Sequence, residues 1–133
     1  MTPLNLNQTF KLVLATLLMT LSAWAAALEL KPYSATELSA LQQRGQAVAV
    51  HFHADWCSTC VAQAKSLETL KTDPQLQAMT VLVANYDQEK ALRQSMKVRS
   101  QSIMVVFKGP QEVTRVIGQT RAQDLKTAFV QAL

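Results

Sequence analysis

The chain is expected to fold as an α/β domain, a central mixed β-sheet flanked by helices, and three features of its 133 residues carry that expectation. Helix-capping signals alternate with short β-rich runs. Two of those runs, Ala47 to His53 and Thr80 to Tyr86, are apolar on both faces, as strands covered by helices on either side must be. Two further runs flank the turn Lys108-Gly109-Pro110-Gln111 and fold back on each other as a hairpin.

Leu28 to Tyr33 reads as a short strand. Ser34-Ala35-Thr36-Glu37 is a capping box: the Ser34 hydroxyl covers an early N–H, Glu37 reaches back, and Gly45 closes the helix it opens. After the strand Ala47 to His53, a helix runs from about Cys57 to Lys71 and stops ahead of Asp73-Pro74, because the residue before proline disfavours helical backbone. Thr80 to Tyr86 is the next core strand, and Asp87 is the expected N-cap of a helix over Gln88 to Met96. Ile103 to Phe107 and Val113 to Ile117 form the hairpin. Thr120 and Gln123 make a second capping box, and Leu125, Ala128, Phe129 and Ala132 place one apolar stripe along the last helix.

At the N-terminus, Lys11 precedes an apolar run from Leu12 to Ala26, and Ala23-Trp24-Ala25-Ala26-Ala27 offers small-x-small cleavage sites. Residues 1–27 therefore read as a signal peptide, or an N-terminal anchor if uncleaved, and residues 28–133 as one domain. The expected location is periplasmic or secreted, with membrane contact only through an uncleaved leader. The formal net charge is +4, and no basic cluster with interleaved aromatics accompanies it, so no nucleic-acid partner is expected.

Chemistry concentrates at Cys57-Ser58-Thr59-Cys60, the only cysteines in the chain. A closed zinc site wants four ligands, and haem attachment wants His where Val61 stands. A dithiol switch, a structural short-loop disulfide and a partial metal site remain. Placed at a helix start, the first thiolate gains from unpaired N–H groups and the helix dipole.

The segment Ala54-Asp55-Trp56-Cys57-Ser58-Thr59-Cys60 resembles the thioredoxin-family signature, and Val98 to Lys108 is similar to the stretch leading into that family's fourth strand. With Asp73-Pro74-Gln75-Leu76-Gln77, it is also similar to the periplasmic thioredoxin-like domain of the thiol:disulfide interchange reductase. The resemblance implies a thioredoxin-like fold and a thiol-disulfide oxidoreductase that exchanges its dithiol with disulfides of partner proteins. It implies Cys57 as the exposed nucleophile, Cys60 as the resolving thiol and Trp56 as a shield and contact surface. With no third cysteine to recharge the pair, an electron-donor or acceptor protein is needed. The expected state is a monomer without cofactor.

Three departures stand against the family pattern. Ser102 occupies the slot of the family's cis-proline, so its peptide is either a strained cis bond or trans with a reshaped loop. His51 takes the place of a buried acid, as a proton shuttle or as a packing residue, with Val83 where a lysine usually accompanies that acid and His53 on the same strand face. Ser58 and Thr59, between the cysteines, either donate hydrogen bonds to the thiolate or simply suit a first helical turn. The missing proline also opens an alternative, a copper-binding or delivery module using Cys57, Cys60 and a histidine.

Overall fold

The computed structural model describes residues 27–133. The expected leader lies outside them except for Ala27, and among the described residues no helix is long and apolar enough to cross a membrane. Five strands, β1 (Glu29–Pro32), β2 (Ala47–His53), β3 (Met79–Asn85), β4 (Ile103–Lys108) and β5 (Gln111–Ile117), form one sheet in the spatial order β1-β3-β2-β4-β5. β3 runs parallel to both β1 and β2, whereas β4 is antiparallel to β2 and β5, so the sheet is mixed. Among the described residues four α-helices cover it: α1 (Ala35–Gln43), α2 (Ser58–Leu70), α3 (Lys90–Ser95) and α4 (Ala122–Phe129).

The period-two alternation of β2 sorts its side chains onto two cores. Val48, Val50 and Phe52 pack with Leu38 and Leu41 of α1, with Leu92 of α3 and with Met96 at its C-cap. Ala47 and Ala49 face the opposite way, toward Leu67 and Leu70 of α2 and Leu125, Ala128 and Phe129 of α4. His51 shares the parity of those alanines, which sets it on the α2 side of the sheet. The stripe expected on the last helix is fully used: Leu125, Ala128, Phe129 and Ala132 are all buried, the last of them in a 3₁₀ turn, Val130–Ala132, that ends the chain.

Helix ends agree with the sequence where backbone geometry decides and depart where side chains compete. Gly45, at φ 69°, closes α1 in a Schellman arrangement: its N–H donates to the Gln42 carbonyl and the Gln46 N–H to that of Leu41. The Ser34 hydroxyl caps α1 as expected, accepting from the Glu37 N–H at 3.3 Å. Glu37 completes only half a capping box, because its carboxylate turns to the Lys31 ammonium at 2.9 Å. Asp87 caps no helix. Asn85 instead accepts from the N–H groups of Asp87 and Gln88, an Asx turn that delays α3 to Lys90. Likewise Arg121, not Thr120, precedes α4, and its guanidinium forks onto Asp124 at 2.8 and 2.9 Å.

Candidate functional site

The strand β2 runs out at the corner where the site is built. Ala54 turns the chain inward, Trp56 stands 64% exposed, and the Cys57 N–H donates back to the Ala54 carbonyl at 3.1 Å. Cys57 is itself the N-cap of α2. Its extended backbone lets the sulfur accept from the Cys60 N–H at 3.1 Å, the place where a serine or aspartate oxygen usually sits. The cap is therefore a thiol that gains from being negative.

Both cysteines are free thiols here. Burial pushes the Cys57 thiol up, but the Cys60 side chain, the Ser102 hydroxyl and the N–H groups of Cys60 and Thr59 outweigh it, holding the group below its ordinary value. For Cys60, burial pushes the thiol up and the hydrogen bond to the Cys57 sulfur adds to it. The two sulfurs are thus driven apart in acidity by position alone. Cys57 is not the exposed thiol expected: packed with Ala54, Cys60 and Tyr86 it is buried at 5% exposure, and only its order relative to Cys60, at 0%, holds.

Ser102 reaches this corner from the loop before β4. Its hydroxyl lies 3.0 Å from the Cys57 sulfur and 3.1 Å from that of Cys60. Among the described residues no peptide is cis, and Ser102 adopts φ 65°, so the missing proline is met by a trans peptide and a reshaped loop. Ser58 and Thr59 occupy the first turn of α2, the second of their two readings. Among the described residues neither hydroxyl bonds a sulfur, the Ser102 hydroxyl does so, and Thr59 contributes through its backbone N–H.

His51 is buried beneath α2, and its Nε2 lies 3.0 Å from Oε1 of Gln63. The amide nitrogen of Gln63 donates to the carbonyls of Ser102 and Gln119 at 3.0 and 2.9 Å, which turns its oxygen toward the imidazole and makes His51 the donor. Burial, then the charge of His53, lower the His51 pKa to about 4, against a smaller opposing pull from Gln63. A ring so held is neutral at pH 7 and a weak base, which favours the packing role over proton handling. His53 shares the strand face as expected, with the two rings edge to face at 5.4 Å and its Nε2 3.1 Å from the Asp55 carboxylate. Val83 lies directly across from His51 in the β2–β3 register.

Three contributors escaped the sequence reading. Gln63, fully buried on α2, ties His51 to the Ser102 loop. Asp87 accepts from the indole N–H of Trp56 at 2.8 Å and fixes the exposed ring over the corner. Tyr86 packs against Ala54, Cys57 and Cys60, donates its hydroxyl to the Arg99 carbonyl and lies under the Arg93 guanidinium at 4.0 Å. No sequence motif marks them, because each acts through residues distant along the chain. Neither histidine turns its Nε2 toward the sulfurs, and among the described residues no three His, Cys, Asp or Glu side chains gather as a metal site, so the copper alternative gains no support.

Comparison with known proteins points the same way. A family model described as Thioredoxin matches residues 33–131. The chain is 33% identical over 84 residues to thioredoxin-2 of Saccharomyces cerevisiae, an overlap of 63% of this chain and 79% of that one. The solved structure of Trxlp from Edwardsiella tarda EIB202 superposes with a TM-score of 0.72 at 33% identity, over 76% of this chain and 98% of that one. A mutant thioredoxin from Halobacterium salinarum NRC-1 gives a TM-score of 0.66 at 26% identity, over 77% and 88% of the two chains.

Proposed function

This chain belongs to the thioredoxin family, its Cys57/Cys60 pair making it a thiol-disulfide oxidoreductase, and on that footing we propose that it reduces protein disulfides outside the cytoplasm. The observation that carries the reading is the geometry of the pair at the start of α2: the Cys57 sulfur accepts from the Cys60 N–H at 3.1 Å and lies 3.0 Å from the Ser102 hydroxyl, which favours its thiolate, while Cys60 is fully buried. The Cys57 thiolate attacks a substrate disulfide, forming a mixed disulfide and releasing one substrate thiolate. The Cys60 sulfur then attacks Cys57, which frees the second substrate thiol and leaves the pair oxidised by two electrons. A separate donor protein must return those electrons, since no third cysteine is present in the sequence.

Lys11, the apolar run and the small residues through Ala27 support export, and the likeness of the Asp73-Pro74 segment to the interchange reductase supports a periplasmic setting. The exposed face of Trp56, pinned by Asp87, is the surface on which a protein substrate rests, and the chain acts as a monomer. Insulin reduction with a small thiol donor tests the reading. Wild type turns over, Cys57→Ser does not, and Cys60→Ser accumulates mixed disulfides. The reduction potential fixes the direction: a value near about −270 mV marks a reductant and one near about −120 mV an oxidant. No turnover by the wild type would overturn the proposal.

A further inference from the structure

We propose that the Ser102 hydroxyl is a catalytic proton relay, carrying the proton of the fully buried Cys60 outward past Cys57 during the resolving step. The inference rests on the dithiol reading above and adds a third reacting group to it. A hydroxyl has one proton to give and two lone pairs to receive. At 3.0 Å from one sulfur and 3.1 Å from the other, in the reduced pair it donates to the thiolate of Cys57 and accepts from the thiol of Cys60, giving one continuous line of protons from the buried sulfur to the outer one. The other acceptor at Cys60 is the Phe52 carbonyl, 3.9 Å away, which has no proton to pass on. Ser102 is 5% exposed, so this hydroxyl rather than bulk water lies next to both sulfurs.

The aim of the hydroxyl is fixed by its own backbone. The Ser102 N–H donates to the Phe52 carbonyl, and its carbonyl accepts from the Gly118 N–H and the Gln63 amide, all at 3.0 Å. Those three bonds hold a φ of 65°, a left-handed conformation that a non-glycine residue adopts when its surroundings impose it. Gln63 is thus a positioning residue, acting on the sulfurs through Ser102. A proline in this slot would supply neither the hydroxyl nor the N–H that bonds Phe52.

The step balances. Cys57 carries the substrate as a mixed disulfide, and Cys60 holds its proton. As the Cys60 proton moves to the Ser102 oxygen, the Cys60 sulfur attacks Cys57. The bond from Cys57 to the substrate sulfur breaks and its electron pair leaves with that sulfur, which takes a proton from solvent as it departs, while the original Ser102 proton passes to solvent at the Cys57 edge of the corner. The products are the Cys57–Cys60 disulfide, a protonated substrate thiol and an intact serine.

Ser102→Gly and Ser102→Ala test the relay together. Both delete the hydroxyl, but glycine suits φ 65° and alanine does not, so backbone strain and proton transfer separate. Purified protein is loaded at Cys57 as the mixed disulfide with glutathione by rapid mixing, and glutathione release is followed by quenched flow. Both variants should release it about 10²-fold more slowly than wild type, the lower end of what a positioned proton-transfer group supplies. A Ser102→Gly protein that resolves as fast as wild type overturns the relay, whether or not the alanine variant is slow. Wild type that forms no mixed disulfide or never resolves it removes the dithiol reading itself, and the relay with it.

Discussion

The α1/α3 side of the sheet and the corner where β2 meets α2 are built by opposite rules. On the first, Val48, Val50, Phe52, Leu82 and Val105 are fully buried hydrocarbon, and nothing polar is asked of them. At the corner, His51, Gln63 and Ser102 account for three of the four buried polar side chains among the described residues, and two thiols stand free beside them. Hydrocarbon packing tolerates no such groups unless each is hydrogen-bonded. The corner meets that demand by a chain of bonds from His51 through Gln63 to the Ser102 backbone, with the Ser102 hydroxyl against both sulfurs. Stability is concentrated in one region and chemistry in the other, and substitutions should tell them apart.

The sharpest separation is in activity. Cys57→Ser should abolish insulin reduction entirely while shifting unfolding by no more than about 1 kcal/mol, because the hydroxyl can still cap α2. Phe52→Ala should do the reverse, costing about 3 to 5 kcal/mol in denaturant unfolding and leaving the folded fraction active. A Phe52 variant that stayed folded but lost turnover would break the division.

Acid should expose the corner next. The His51 pKa falls from an ordinary 6.5 to about 4 on folding, so the unfolded chain binds its proton first as pH drops. The contribution is fully present above pH 6.5 and is lost as pH falls toward 4. At about 1.4 kcal/mol per unit, it amounts to about 3 kcal/mol, read as a falling urea midpoint between those pH values. His51→Phe should flatten that slope. An unchanged slope would show that another group is responsible.

The smallest effect belongs to the rim. Trp56→Ala should leave stability within about 0.5 kcal/mol, since the ring is mostly exposed. Its cost should fall on KM for insulin rather than on reduction of a small disulfide. Asp87→Ala, which frees the indole, should follow in the same direction and more weakly.

Much of the architecture was legible in the chain because it is local. The bounds of β2 coincide with the apolar run Ala47 to His53, the hairpin forms at its Gly-Pro turn, and the buried stripe of α4 follows the helical spacing. The two sulfurs were legible for the same reason, lying one helical turn apart. What was not legible depends on contacts across the fold. Gln63 reads as an ordinary helical residue, yet its partners lie 12, 39 and 56 positions away. Asp87 looks like a cap because its local surroundings suit one, and it is drawn off by an indole 31 residues back. Thr120 likewise carries the signature of a capping box, but its carbonyl receives the Ser66 hydroxyl and the helix begins one residue later than the box requires. Ser58 and Thr59 lie between the sulfurs in sequence, yet the hydroxyl that bonds them is that of Ser102, because only tertiary structure shows which hydroxyl reaches the sulfur.

The inequality of the two thiols is what every functional statement above depends on, and site-resolved alkylation against pH measures it directly. Iodoacetamide should modify Cys57 first, with a midpoint below that of a free cysteine, while Cys60 remains protected until far higher pH. Equal labelling of both positions at the ordinary thiol midpoint would contradict the account.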